Sequence, residues 1–108
     1  MIQSVKITRS PLKTKKFRVQ VTEDGKTVAV DFGAKGYQDY TQHKDPERRM
    51  RYLARHSARE DWTKEGRHTP GFWSRWLLWE KPSLREALRN VRAMLLNEKK
   101  KQKKRISR

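Results

Sequence analysis

Cysteine does not occur in this chain, and that absence removes several chemistries at once. Disulfide staples, thiolate nucleophiles and every zinc site built on cysteine are excluded. Acidic residues are scarce beside basic ones, 12 Asp and Glu against 28 Lys and Arg, for a formal net charge of +16. Long apolar runs are missing too. The longest, Phe72 to Trp79, is interrupted by Ser74 and Arg75, well short of the roughly 18 residues that a membrane span needs. The opening MIQSVKITRS has no apolar segment of the kind a signal peptide carries. These absences lead to the expectation of an intracellular protein of one small domain.

What is present suits a modest core. Hydrophobic residues make up 33% of the 108 positions and charged residues 37%, a composition near the boundary between folded and disordered chains. The apolar residues are clustered, however, and four tryptophans are a large payload for this length. Each aromatic can bury on the order of 150–250 Å². Charge of this size and sign favours a polyanion, because a basic protein gains affinity by releasing the counterions condensed on nucleic acid. An anionic membrane surface, an acidic protein and simple solubility are the alternatives.

Along the chain, residues 1–16 read as a basic N-terminal segment with a short strand over 3–9. Lys6, Arg9, Lys13, Lys15 and Lys16 have no acid among them. Phe17, Val19 and Val21 then alternate with polar residues, Asp24-Gly25 follows, and Val28, Val30 and Phe32 alternate again. Asp-Gly between alternating runs marks a type I′ hairpin, whose central positions both need positive φ. Pairing Glu23 with Lys26 puts all six apolar residues on one face. After Gly33 and Gly36 comes a polar loop, Tyr37 to Lys44. Asp45-Pro46 starts a helix, with an apolar stripe read from Met50, Leu53, Ala54, Ser57 and Ala58. Thr69-Pro70 opens a short aromatic helix over Phe72–Trp79. Ser83 and Glu86 form a capping box for a last helix with Leu84, Ala87, Leu88, Val91 and Leu95 inward. The fold expected is α+β: an N-terminal β-hairpin, with the 3–9 strand as candidate third member of an antiparallel sheet, packed on about three short helices. Residues 17–98 make this domain. Residues 99–108 are a lysine/arginine-rich tail, expected to be disordered when free because like charges repel.

Several pieces carry a resemblance: Phe32-Gly33, Gly36-Tyr37-x-Asp39-Tyr40-Thr41, His43-Lys44-Asp45, Arg51-Tyr52-x-x-Arg55-His56 and Gly71-Phe72-Trp73-x-Arg75-Trp76-x-Leu78-Trp79. Over roughly residues 30–85 the chain resembles a family of small basic proteins encoded by large nucleocytoplasmic DNA viruses, the iridoviruses, marseilleviruses and their relatives. The resemblance implies a viral protein. It brings no activity and no site residue with it, so function rests on the residues themselves.

Three groups could meet a polyanion. The tail offers Lys99, Lys100, Lys101, Lys103, Lys104 and Arg105 as a phosphate-neutralising arm, where the bland reading is a solubilising tail. Arg48, Arg51, Arg55 and Arg59 recur at i, i+3/i+4 spacing, with Arg85, Arg89 and Arg92 on the last helix. Guanidinium forks suit phosphate, although a solvated face tempered by Glu47, Glu60 and Asp61 is nearly as good a reading. Tyr37 and Tyr40, in a polar loop, are candidate base-stacking residues. The tryptophan cluster has helical spacing and is read as core. Asp39, His43, Asp45 and His56 can be drawn as a metal site, but Asp45 is already a cap and Lys44 sits among the would-be ligands. No GxSxG, Walker loop or HExxH occurs. The expectation is therefore a non-enzymatic protein without cofactor or metal. It would bind nucleic acid without sequence specificity, DNA favoured over RNA, in viral genome packaging or organisation, and reside in the virion, the viral factory or the host nucleus. The alternative is a structural virion protein that contacts other virion proteins or a membrane surface.

Overall fold

The computed structural model describes residues 1–96. The expected boundary of the domain at 98 and the whole of the basic tail, Lys99 to Arg105 included, lie outside the described residues.

Three antiparallel strands form one sheet in sequence order: β1 (Ile2–Arg9), β2 (Lys15–Glu23) and β3 (Lys26–Ala34). The β2–β3 register is the one that the alternation predicts, with Glu23 opposite Lys26, Val21 opposite Val28, Val19 opposite Val30 and Phe17 opposite Phe32. At the turn Asp24 has φ 51° and Gly25 φ 80°, the two positive values that a type I′ turn demands. The third strand is real. Val5 pairs with Val21 and Ile7 with Val19, after an irregularity between Ile2 and Ser4. The central β2 valines therefore have apolar partners on both sides, each such pair contributing roughly 0.2–1 kcal/mol. Val28, near the turn, is the one member of the six-residue face that stays exposed, at 43%.

Helices follow the sheet: α1 (Tyr40–His43), α2 (Pro46–His56), a 3₁₀ turn over Lys64–Gly66, α3 (Pro70–Trp73) running into a π-helical turn over Ser74–Leu78, and α4 (Leu84–Leu96). The core joins Val5, Val19, Val21, Val30 and Phe32 of the sheet to Phe72, Trp73, Leu77 and Leu78, and to Ala87, Val91 and Leu95 of α4. Trp73 and Phe72 are fully enclosed, while Trp76 and Trp79 pack on the cluster from its edge. Buried indole N–H groups need acceptors. Trp73 Nε1 finds Arg67 O at 2.6 Å and Trp76 Nε1 finds Trp62 O at 2.9 Å. The tryptophans are thus mainly structural, as their spacing indicates.

Each proline start signal operates as expected. Asp45 accepts from Glu47 N and Arg48 N, and Thr69 accepts from Phe72 N. Ser83 Oγ accepts from Glu86 N at 3.3 Å at the head of α4.

Two elements differ from the sequence reading. The 37–44 loop contains α1, capped by a box in which Asp39 accepts from Thr41 N and Gln42 reaches back to Asp39 N. On α2 the inward face is not the stripe from Met50. Met50 is 68% exposed, and Tyr52 is the buried residue. Arg49, Tyr52, Leu53 and His56 share the inward side. Tyr52 stacks on Trp79 with centroids 4.1 Å apart, and Arg49 Nε donates to Trp79 O at 2.7 Å while its Nη2 pairs with Glu80. An apolar count misreads this helix because two of its inward residues are polar groups with partners waiting. Among the described residues no helix is long and apolar enough to cross a membrane.

Candidate nucleic-acid interface

The packing of α2 beside the end of the hairpin leaves a cleft of about 610 Å³. Its floor is formed by Gly33 of β3, Leu78 and Trp79 after α3, and Tyr52. Gly33 is required there: its φ is +82°, and a Cβ would stand 2.9 Å from Leu78 Cδ1 and 3.3 Å from Lys16 Cβ. The π-helical turn supplies Ser74 and Leu78 to the same wall.

Around this floor stand Lys15, Lys16, Arg48, Arg51 and Arg55, with Tyr37 and Gln38 at one side. The cleft has two carboxylates, and both are committed to internal partners. Asp39 pairs with Lys16 at 2.6 Å, and Thr41 Oγ1 also donates to it. Glu60 pairs with His56 Nδ1 at 2.8 Å and accepts from Trp62 Nε1 at 2.8 Å. The ion partner of Arg51 is Glu47 at 3.8 Å, both side chains being mostly exposed, so this pair is worth little. Arg48 donates to Gln38 Oε1 at 3.3 Å. Neither cleft carboxylate is ion-paired with Lys15, Arg48, Arg51 or Arg55, and cations outnumber acids in the lining.

A second recess of about 530 Å³ lies on the far side of Tyr37, lined by Arg9, Phe17, Lys35 and the loop 36–42. Lys16, Tyr37, Gln38 and Asp39 line both. Tyr37 is 74% exposed and stands between the two.

The structure thus brings together Arg48, Arg51, Arg55 and Tyr37 of the residues singled out from sequence. It separates the others. Arg59 lies beyond the end of α2, outside the cleft, its N–H closing a turn on His56 O. Tyr40 is half-buried, with the Arg49 guanidinium 5.6 Å over its ring and His43 at 6.2 Å, and lines neither recess. Arg85 and Arg89 are exposed on α4, which packs on β1 and contributes nothing to the cleft. Arg92 has a structural occupation: Nε and Nη2 both donate to Val5 O, at 3.1 and 2.8 Å.

The residues that could be drawn as a metal site serve local structure. Asp39 and Asp45 are helix caps, and His43 Nδ1 accepts from Asp45 N at 3.0 Å. Burial, and then the Arg48 charge, hold the His43 imidazole below the usual histidine range. No group of three or more His, Asp or Glu among the described residues is placed to hold a metal ion.

Lys15, noted only as part of the basic N-terminal segment, and Lys35 were not assigned from sequence to a polyanion site, although the signal was there. Extending the hairpin register past Phe17–Phe32 puts Lys15 opposite Ala34, beside the loop that bears Tyr37.

The segment that contributes these cations can be compared with known families. Residues 5–56 match a family of unknown function, DUF5754. The DUF5754 match takes in the sheet from Val5 onward, α1 and α2, and with them every basic residue that lines either recess. The aromatic motif from Gly71 to Trp79 lies beyond it. No curated protein and no solved structure matches the chain.

Proposed function

We propose that this protein binds nucleic acid without sequence specificity, through phosphate contacts from the cleft cations and from the lysine-rich tail. The observation that carries this reading is the convergence of Lys15, Arg48, Arg51 and Arg55 on one cleft whose two carboxylates are already paired internally. Five Lys and Arg side chains against two carboxylates in one cleft repel one another unless a polyanion joins them. Guanidinium groups suit that partner because their donors match phosphate oxygens two at a time. Basic residues from two separate elements, β2 and α2, could grip successive phosphates. DNA is the favoured form. The finer role, packaging or organising a viral genome within the virion, the viral factory or the host nucleus, rests on the sequence resemblance to viral proteins.

The test is a triple variant, Arg48→Gln, Arg51→Gln and Arg55→Gln, titrated against a labelled DNA duplex across a salt series. Removing one arginine–phosphate interaction should flatten the double-logarithmic salt slope by about 0.9, so removing three should flatten it by roughly 2.7. A variant that folds normally and keeps the parental slope would show that these arginines do not touch DNA.

A further inference from the structure

We infer that the ridge at Tyr37 is a site for an unpaired nucleobase, and that the protein prefers single-stranded nucleic acid to duplex; this rests on the nucleic-acid reading above. Tyr37 is the largest exposed aromatic surface among the described residues, and it stands between two recesses with cations on both sides. Arg9 and Lys35 flank one side, and Lys15, Arg48, Arg51 and Arg55 the other. A strand crossing this ridge would leave a phosphate in each recess and lay the intervening base on the ring. That combination of a tracked backbone and an aromatic platform is how single strands are held without sequence readout.

The ring is presented on a fixed support. Gly36 turns the chain with φ +91°. Lys35 N donates to Thr14 O at 3.0 Å, just before Tyr37. Just after it, Asp39 is clamped by Lys16 at 2.6 Å, and Gln38 accepts from Arg48. Anchors on both sides reduce the ordering cost of binding. Nothing in the fold itself uses the ring, since no hydrogen bond or ring contact involves it among the described residues. In a duplex the base faces are covered by their neighbours, so Tyr37 would have nothing to stack on. Phosphate contacts alone would give the opposite preference, because a duplex carries twice the charge per unit length of one of its strands.

The experiment measures anisotropy of a labelled 20-mer of mixed sequence, as single-stranded DNA and as duplex, with the full-length chain and with Tyr37→Ala and Tyr37→Phe. Expected are tighter binding of the single strand, a roughly five- to 150-fold loss of that affinity in Tyr37→Ala, rescue in Tyr37→Phe, and little change for duplex. Tyr37 is exposed, so both variants should fold, and their salt slopes should equal that of the parent. Duplex binding as tight as single-strand binding, with Tyr37→Ala within twofold of the parent on both, overturns the inference and leaves the nucleic-acid reading standing. Failure to bind either form overturns both.

Discussion

Lys16 Nζ lies 2.6 Å from Asp39 Oδ2, and their side chains are only 15% and 5% exposed. This pair ties the start of β2 to the cap of α1 and so fixes the loop that divides the two recesses. Lys16 Nζ also reaches Gln42 Oε1 at 2.9 Å, which makes the cap and the ion pair one network. Removing one partner of a buried pair leaves the other uncompensated, at about 3–5 kcal/mol. Asp39→Ala also deletes the cap of α1. Urea denaturation should therefore show Asp39→Ala destabilised by several kcal/mol. A loss of less than about 1 kcal/mol would mean that the network does not hold this loop.

The arginines of α4 should separate by role. Arg92→Met gives up two donors to Val5 O, and leaving that carbonyl without them should cost roughly 1–3 kcal/mol. Arg85→Gln and Arg89→Gln alter exposed side chains and should stay within about 0.5 kcal/mol of the parent. Thermal unfolding of the three variants checks this. Equal effects at all three positions would contradict the anchoring of Arg92 on β1.

Gly33→Ala should destabilise the protein by about 1–3 kcal/mol, since the residue sits at φ +82° and a methyl group would meet Leu78. The same change narrows the cleft floor. Differential scanning calorimetry would register the loss as a lower Tm. An unchanged Tm would mean that β3 and the π-helical turn relax apart at no cost.

Acid should weaken the fold in two stages, and the sign follows from the direction of each shift. The Arg67 fork, bidentate on Glu23 at 3.0 and 2.7 Å, holds that carboxyl below its usual range. Asp31 is held low by Arg18 and then by Ser10. Depressed carboxylates stabilise fully above their unfolded values, near 4.5 and 3.8, and lose that contribution as pH falls through the lower folded values. His43 adds an earlier stage. Its folded value lies below 6.5 because burial resists the charged form, so the unfolded chain takes up more protons as pH drops below 6.5 and stability declines. Denaturation midpoints measured from about pH 8 to 3 should fall first below 6.5 and again below about 4.5. His43→Gln should remove the first decline, and its persistence in that variant would assign it elsewhere.

The sheet was legible because alternation and turn chemistry point to the same register, down to the opposition of Phe17 and Phe32. The start signals at Asp45-Pro46 and Thr69-Pro70 were legible for the same reason: a cap and a proline leave few alternatives for the backbone. The inward face of α2 was not. Its burial is decided by Trp79, far downstream from Tyr52, and by the polar partners of Arg49 at Trp79 and Glu80, which no local periodicity encodes. The candidate interface was half legible. Spacing aligned Arg48, Arg51 and Arg55, and the polarity of the loop marked Tyr37. That these line one cleft with Lys15 depends on how Trp79 and Glu80 hold α2, and the bond of Arg92 to Val5 O was not legible because its acceptor lies 87 residues away.

The most direct test of nucleic-acid binding is the salt dependence of the intact chain on duplex DNA, with a second chain lacking residues 99–108. If the seven basic residues from Lys99 to Arg108 all engage phosphates, they contribute a slope of roughly −6, and the cleft arginines add to it. The expected result is a steep slope for the full chain and a shallower, still negative one for the shortened chain. A slope near about −1 for the full chain, or no binding of either duplex or single-stranded DNA at physiological ionic strength, would contradict nucleic-acid binding as the function of this protein.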